Sequence, residues 1–143
     1  MRKARRGKVA ETRQDELMGV VRGFMESRIL LTAAELDLFS LLAGRSMTAD
    51  EVCSLIGGNL RAVTILLDAL CAIGWLSKAN GAYSTPPETA EILAAGAPEG
   101  VLPIIHHYAN MWRRWSRLTD IVRGAPSEEP AVATRTPEQF RAF

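Results

Sequence analysis

The sequence contains no apolar run long enough to cross a membrane, because runs such as residues 29–31 fall far short of the roughly 20 residues that a span requires. No apolar segment follows the basic N-terminal residues, so we expect no secretory signal. Cysteine is scarce as well: Cys53 and Cys71 show no CxxC spacing and have no histidine near them in sequence. We therefore expect buried thiols in a cytoplasmic protein, with no metal or redox site and no membrane partner.

The sequence also lacks the short motifs of common catalytic and nucleotide-binding sites, among them GxGxxG, the P-loop and GxSxG. His106 and His107 are adjacent, about 100° apart on a helix, and so cannot form the i, i+4 pair that a metal would use. Gly57 and Gly58 follow a predicted helix instead of a strand, which indicates a helix terminator and not a phosphate loop. We predict no catalytic, cofactor-binding or metal-binding residue in this chain.

What the sequence does contain is enough apolar material, 48% of 143 residues, for one domain with a core. Its charge is unevenly spread. Residues 1–13 carry six basic side chains and one acidic side chain, a net charge of +5, whereas the remaining residues have a net charge of −4. We predict a disordered basic tail over residues 1–13; the alternative is an arm that contacts nucleic acid.

Helical spacing of apolar residues begins at Gln14 and continues to about residue 43. Residues 27–43 are apolar on nearly all sides of the predicted helix, which Gly44 is expected to end. A helix of this kind must be covered nearly all round, and in so small a domain we expect a second chain to provide the cover. The earlier residues of the pattern, spaced i, i+3, i+4, i+7 and i+8, are Leu17, Val20, Val21, Phe24 and Met25.

A helix-turn-helix is predicted next. Thr48 and Glu51 fit a capping box that opens a short helix, and Gly57 ends it. Asn59 is a good N-cap for a second, longer helix that runs to Gly74. Two helices joined by a tight glycine turn, with the second longer than the first, are typical of this motif.

A β-hairpin should follow, because residues 75–77 and 82–84 read as strands around Asn80 and Gly81, a strong hairpin signal. This hairpin would be a wing. Thr85 is then expected to cap a short helix, and a long helix is expected from about residue 99 to residue 122.

These elements predict a mainly α fold: a winged helix-turn-helix with a small β-hairpin wing and extra N- and C-terminal helices, dimerising, over residues 14–124. Residues 125–143 read as a linker and the start of a new helix at Thr136 and Pro137, which we expect to lead to a further domain.

The winged helix offers little that could bind DNA. Residues 45–85 carry three basic and three acidic side chains, and the wing has only Lys78. Because counterion release supplies most of the non-specific affinity for DNA, a neutral face binds it poorly. The outward positions of the second predicted helix hold one cation and one carboxylate: Arg61, Thr64, Ile65, Asp68 and Ala72. A winged-helix transcription regulator, using Arg61 and the basic tail, is therefore the weaker alternative; a third is a stand-alone assembly module or small-ligand binder.

Three runs carry a family resemblance: SRILLTAAELDLFSLL at residues 27–42, TADEV at residues 48–52 and RAVTILLDALCAIGWL at residues 61–76. With the wing and the Trp115-x-x-Leu118 pattern, they resemble the N-terminal dimerisation domain of class I S-adenosylmethionine-dependent O-methyltransferases. That family includes plant-type phenolic enzymes and bacterial polyketide or hydroxyindole-type enzymes. The resemblance covers about residues 15–143. It implies a winged helix interlocked between two subunits and followed by a Rossmann domain.

By position, the resemblance implies four candidate substrate-pocket residues on the last long helix: His107, Met111, Trp112 and Trp115. An aromatic stripe of this kind is more often core than ligand wall. The family's cofactor loop and catalytic histidine would lie beyond Phe143. The resemblance thus implies a homodimer and a small-molecule methyl acceptor. It also implies S-adenosylmethionine in the full-length protein, with none bound by this fragment, which would be inactive alone. We expect no nucleic-acid partner.

Overall fold

The computed structural model describes residues 12–125, and in that range the chain is mainly helical with one small sheet. The predicted fold class is confirmed. The predictions of a disordered tail and of a linker with a new helix fall mostly on residues 1–11 and 126–143, outside the described residues. The elements are α1 Arg13–Glu35, α2 Leu38–Leu41, β1 Met47–Thr48, α3 Ala49–Ile56, α4 Leu60–Ala72, β2 Ser77–Ala79, β3 Ala82–Ser84, α5 Pro87–Leu93, α6 Leu102–Trp115 and α7 Leu118–Val122.

The first helix begins one residue before the predicted start and ends earlier than predicted. Thr12 and Asp15 form a capping box, in which the Asp15 amide donates to the Thr12 hydroxyl at 3.2 Å. The helix ends at Glu35, and Asp37, which precedes α2, adopts the left-handed conformation with φ 51°. The prediction of one helical stretch to residue 43 is therefore wrong. Aspartate tolerates this conformation better than most residues do, and the break allows α2 to pack into the core.

Most of the apolar stretch at residues 27–43 is covered by the chain itself, whereas Leu36 is 38% exposed. Leu38, Phe39 and Leu42 are completely buried, in one cluster with side chains from α3, α4 and the sheet. Burial of a side chain of this size stabilises the fold by about 1.5–3 kcal/mol. The expectation that a second chain must cover this stretch nearly all round is therefore wrong, because α2, which follows the left-handed residue Asp37, packs into the core of the same chain.

The helix-turn-helix is confirmed. The Glu51 amide donates to the Thr48 hydroxyl at 3.3 Å, and the Thr48 amide donates to the Glu51 carboxylate at 2.7 Å. Asn59 caps α4 by accepting from the Ala62 amide at 3.1 Å. The chain bends by 117° between α3 and α4. The turn that joins them lies so close to α4 that a Cβ on Gly58 would be 2.8 Å from Val63 Cγ2.

The wing is also confirmed. Asn80 and Gly81 both have positive φ, at 50° and 80°, as a type I′ hairpin turn requires. The first strand of the wing, β2, begins at Ser77, two residues later than predicted. The reason is that the Trp75 and Leu76 amides donate to the Leu70 carbonyl near the end of α4.

Sequence reasoning missed one strand of the sheet. Met47 and Thr48 form β1, which pairs antiparallel with β3 and makes the strand order β1-β3-β2. A strand of two residues is too short to show an alternating pattern.

The C-terminal helices differ from prediction at two points. Pro86, and not Thr85, is the N-cap of α5, because the Thr85 hydroxyl donates instead to the buried Phe39 carbonyl at 3.0 Å. The long predicted helix starts later, at Leu102, and is broken into α6 and α7. At the break the Ser116 hydroxyl donates to the Arg113 carbonyl at 2.9 Å, a local bond that competes with the regular helix.

Candidate functional site

Trp112 of α6 packs against α1, at the contact between the two helices. Its ring centroid is 6.4 Å from that of Phe24, with the planes tilted by 33°, and 5.9 Å from the Arg28 guanidinium carbon. Phe24 and Arg28 are four residues apart, so both side chains lie on one face of α1. Arg28 also forms an ion pair with Glu35, two turns further along the same helix.

The four residues predicted to line a substrate pocket all lie on α6, and they differ in exposure. His107, Met111 and Trp112 are half-buried, whereas Trp115 is 61% exposed at the end of the helix. The His107 and Tyr108 rings are 5.9 Å apart. Trp112 therefore belongs to the α1 contact, while Trp115 and Tyr108 reach solvent. The four candidates therefore do not share one environment.

Sequence reasoning missed Phe24 and Arg28 as the partners of Trp112. A signal was present: an aromatic residue followed four positions later by a cation marks one face of a helix. What the sequence could not supply was the partner of that face, since 84 residues separate Arg28 from Trp112.

Large apolar side chains remain exposed on the N-terminal half of α1, on α6, which packs against α1, and on α7. We call these side chains the assembly surface. Isolated exposed apolar residues are common, whereas large apolar side chains exposed in a row along one helix face are typical of an interaction site. The α1 members repeat at helical spacing and so form a stripe. The assembly surface comprises Leu17, Val20, Val21, Phe24 and Met25 of α1, and Tyr108, Trp115, Leu118, Ile121 and Val122 of α6 and α7.

On the winged helix, the lysine of the wing is neutralised by α4. Lys78 Nζ donates to Asp68 Oδ1 at 2.7 Å, and the Tyr83 hydroxyl donates to the same oxygen at 2.8 Å. The hydrogen bond from Lys78, followed by that from Tyr83, lowers the pKa of Asp68. The hydrogen bond to Asp68 in turn raises the pKa of Lys78. Burial raises the pKa of Tyr83. The cation that a DNA-binding wing would direct at phosphate is thus occupied within the chain.

Within residues 12–125, no group of three or more His, Cys, Asp or Glu side chains is placed to hold a metal ion. No single helix in this range is long and apolar enough to cross a membrane; only α3 and α4 taken together, sharply bent at their turn, reach the length and composition.

The family follows from comparison with known proteins. A family model described as the O-methyltransferase dimerisation domain matches residues 18–95, more than half of the chain. The chain belongs to the O-methyltransferase dimerisation domain family. The matched residues begin in the exposed half of α1 and include the whole winged helix.

Individual relatives agree with this family assignment. TcmO, the tetracenomycin polyketide synthesis 8-O-methyl transferase of Streptomyces glaucescens, is 30% identical over 122 residues, covering 81% of this chain and 35% of the relative. PigF, an S-adenosyl-L-methionine-dependent methyl transferase of Serratia, is 35% identical over 88 residues, covering 62% and 25%. The solved structure of an O-methyltransferase family protein from Burkholderia thailandensis superposes with a TM-score of 0.75 at 28% identity, covering 94% and 41%.

This chain spans only 25% to 41% of the length of these three proteins, so it matches a part of each. The comparisons give no support to the alternative of a DNA-binding regulator.

Proposed function

We propose that this chain is the subunit-assembly part of an S-adenosylmethionine-dependent O-methyltransferase, and that it forms a homodimer through the assembly surface. The observation that carries the proposal is the stripe of exposed apolar side chains on α1, within a domain whose family is a dimerisation domain. Val20 is the most exposed member, at 80%. Apolar area removed from water is the main favourable term in protein association, so a second copy of this stripe is a suitable partner.

We propose further that α6 supplies one wall of the pocket for a small-molecule methyl acceptor in the full-length protein. The candidates are His107, Met111, Trp112 and Trp115. Aromatic and apolar side chains with a few polar groups are typical of such pockets. His107 supplies the polar group, and Trp115 has the ring that is freest to meet a ligand.

The cofactor S-adenosylmethionine would be held by the remainder of the full-length protein, and methyl transfer would take place there. We propose that this fragment binds no cofactor and has no activity alone. The relatives whose names specify methyl transfer are longer, and this chain matches only part of each. We place the protein in the cytoplasm, where the two free thiols of Cys53 and Cys71 would stay reduced.

Sedimentation of the purified chain tests the assembly proposal. We expect a dimer at micromolar concentrations, and a shift to monomer in Val20→Glu, since a buried and unpaired carboxylate is costly. The dissociation constant of the dimer should rise on the order of a hundredfold or more in that variant. Ile65→Glu is the matched control, because Ile65 is also an exposed apolar helix residue, at 59%, but lies on α4 outside the assembly surface.

A wild-type chain that sediments as a monomer at these concentrations would overturn the proposed assembly. Equal effects of Val20→Glu and Ile65→Glu would place the interface elsewhere on the chain. Circular dichroism of both variants establishes that each remains folded.

A further inference from the structure

Phe24 belongs to two surfaces at once. Its ring contacts Trp112, a candidate pocket residue, yet the residue is still 50% exposed. Its neighbours on the α1 stripe, Val21 and Met25, are exposed to a similar degree. Phe24 therefore stands at the boundary between the α6 contact and the assembly surface.

The second contact of Trp112 is of a different kind. Arg28 approaches the Trp112 ring while its guanidinium is paired with Glu35, so it is held by a group of its own chain. Phe24 has no such restraint on its exposed half, and a half-exposed ring retains rotamer freedom that burial removes. Of Phe24 and Arg28, Phe24 is the one whose surroundings change when a second copy covers the stripe.

We propose that Phe24 is a positioning residue that couples assembly to the pocket wall. When a second copy covers the α1 stripe, Phe24 loses its rotamer freedom and holds the Trp112 ring in one orientation. Trp112 lies on the same helix as Met111 and Trp115, so its orientation shapes the wall that those residues form. This inference rests on the proposed homodimer and adds a consequence: the pocket wall is fully ordered only in the assembled protein.

Fluorine NMR of the chain labelled with 5-fluorotryptophan tests the coupling. The three tryptophans give three resonances, and the resonance of Trp112 is assigned by its loss in Trp112→Phe. We expect the Trp112 resonance to shift and sharpen as the concentration is raised through the monomer–dimer transition measured by sedimentation. Trp75, which packs against the core, is the internal reference and should stay in place.

Substitution of Phe24 separates coupling from simple burial. In Phe24→Ala the dimer should form at higher concentration, but the Trp112 resonance should no longer respond to assembly. Phe24→Tyr, which keeps the ring, should restore the response. Leu17→Ala is the matched control: Leu17 is exposed on the same stripe two turns before Phe24, and its loss should weaken the dimer and leave the response of Trp112 intact.

The outcomes distinguish the two proposals. A wild-type monomer overturns the homodimer and the coupling together. A wild-type dimer in which the Trp112 resonance does not respond overturns the coupling alone. A response that persists in the Phe24→Ala dimer shows that the partner acts on Trp112 directly, which also overturns it. If Phe24→Ala does not dimerise, the same comparison is made in Phe24→Leu, which keeps apolar contact and lacks the ring.

Discussion

The carboxylate of Asp68 accepts a hydrogen bond from the hydroxyl of Tyr83, the largest fully buried side chain among the described residues. The same oxygen accepts from Lys78, whose ammonium lies 4.7 Å from the centre of the Tyr83 ring. One acidic residue on α4 thus satisfies a core hydroxyl and holds both strands of the wing. Its neutral replacement should loosen the wing from the helix.

Asp68→Asn should lower the free energy of unfolding at pH 7 and weaken its dependence on acid. The folded state lowers the pKa of Asp68, so the stabilisation it contributes is complete above about pH 4 and is lost as the pH falls through the folded pKa. Asp15 and Glu51 have pKa values lowered by their capping bonds and act in the same direction, so some acid dependence should remain.

Urea unfolding at pH 7 and pH 3, at one fixed protein concentration, measures this effect. Glu91→Gln is the control, because Glu91 is an exposed carboxylate on α5 whose replacement should change stability by less than about 0.5 kcal/mol. Equal losses at both pH values in Asp68→Asn would contradict the ionic origin of the effect.

Thr48→Ala should destabilise the chain by about 1 kcal/mol, because it removes the N-cap of α3 and leaves the Glu51 amide without its acceptor. Thr64→Ala is the comparison. The Thr64 hydroxyl donates to the Leu60 carbonyl inside α4, so its loss leaves no helix end uncapped. Thermal or urea unfolding that gives the same change for both variants would show that the cap is not what stabilises α3.

Two glycine substitutions should have opposite signs. Gly19 lies inside α1 with no atom within 4 Å of an added Cβ, so Gly19→Ala should stabilise the folded subunit by about 0.5–1 kcal/mol. Gly58→Ala should destabilise it by about 1–3 kcal/mol, since its Cβ would overlap the stiff side chain of Val63. Unfolding of both variants and the wild type, measured at equal protein concentrations, tests the two signs. A stabilising Gly58→Ala would show that the turn can move away from α4.

The chain should not bind duplex DNA with the affinity of a transcription regulator. The wing lysine is occupied by Asp68, and residues 45–85 carry no net positive charge. We expect no mobility shift of the duplex at micromolar concentrations of the protein in low salt. A shift with a steep salt dependence would contradict this and would indicate phosphate contacts, which deletion of residues 2–8 would assign to the basic tail or to the winged helix.

The elements that the sequence predicted well are those with a local cause. Thr48 and Asn59 cap their helices, and Asn80 and Gly81 form the wing turn, because each acts on backbone groups within three residues of itself. The family resemblance, inferred from the order of these elements, was confirmed by the family model that matches residues 18–95. The four pocket candidates stay a prediction, since nothing in this chain alone tests a role that needs the rest of the protein.

What local patterns could not decide was the helix break at Asp37 and the pairing of α1 with α6. The stretch at residues 27–43 has the period of one helix, and only the burial of Leu38 and Phe39 against distant elements favours a break within it. The sequence by itself determined where α3 and α4 start, where the wing turns and that the winged helix is neutral. The tertiary structure decided which apolar face remains uncovered, because that depends on which distant segments the chain brings together, and it selected the first half of α1.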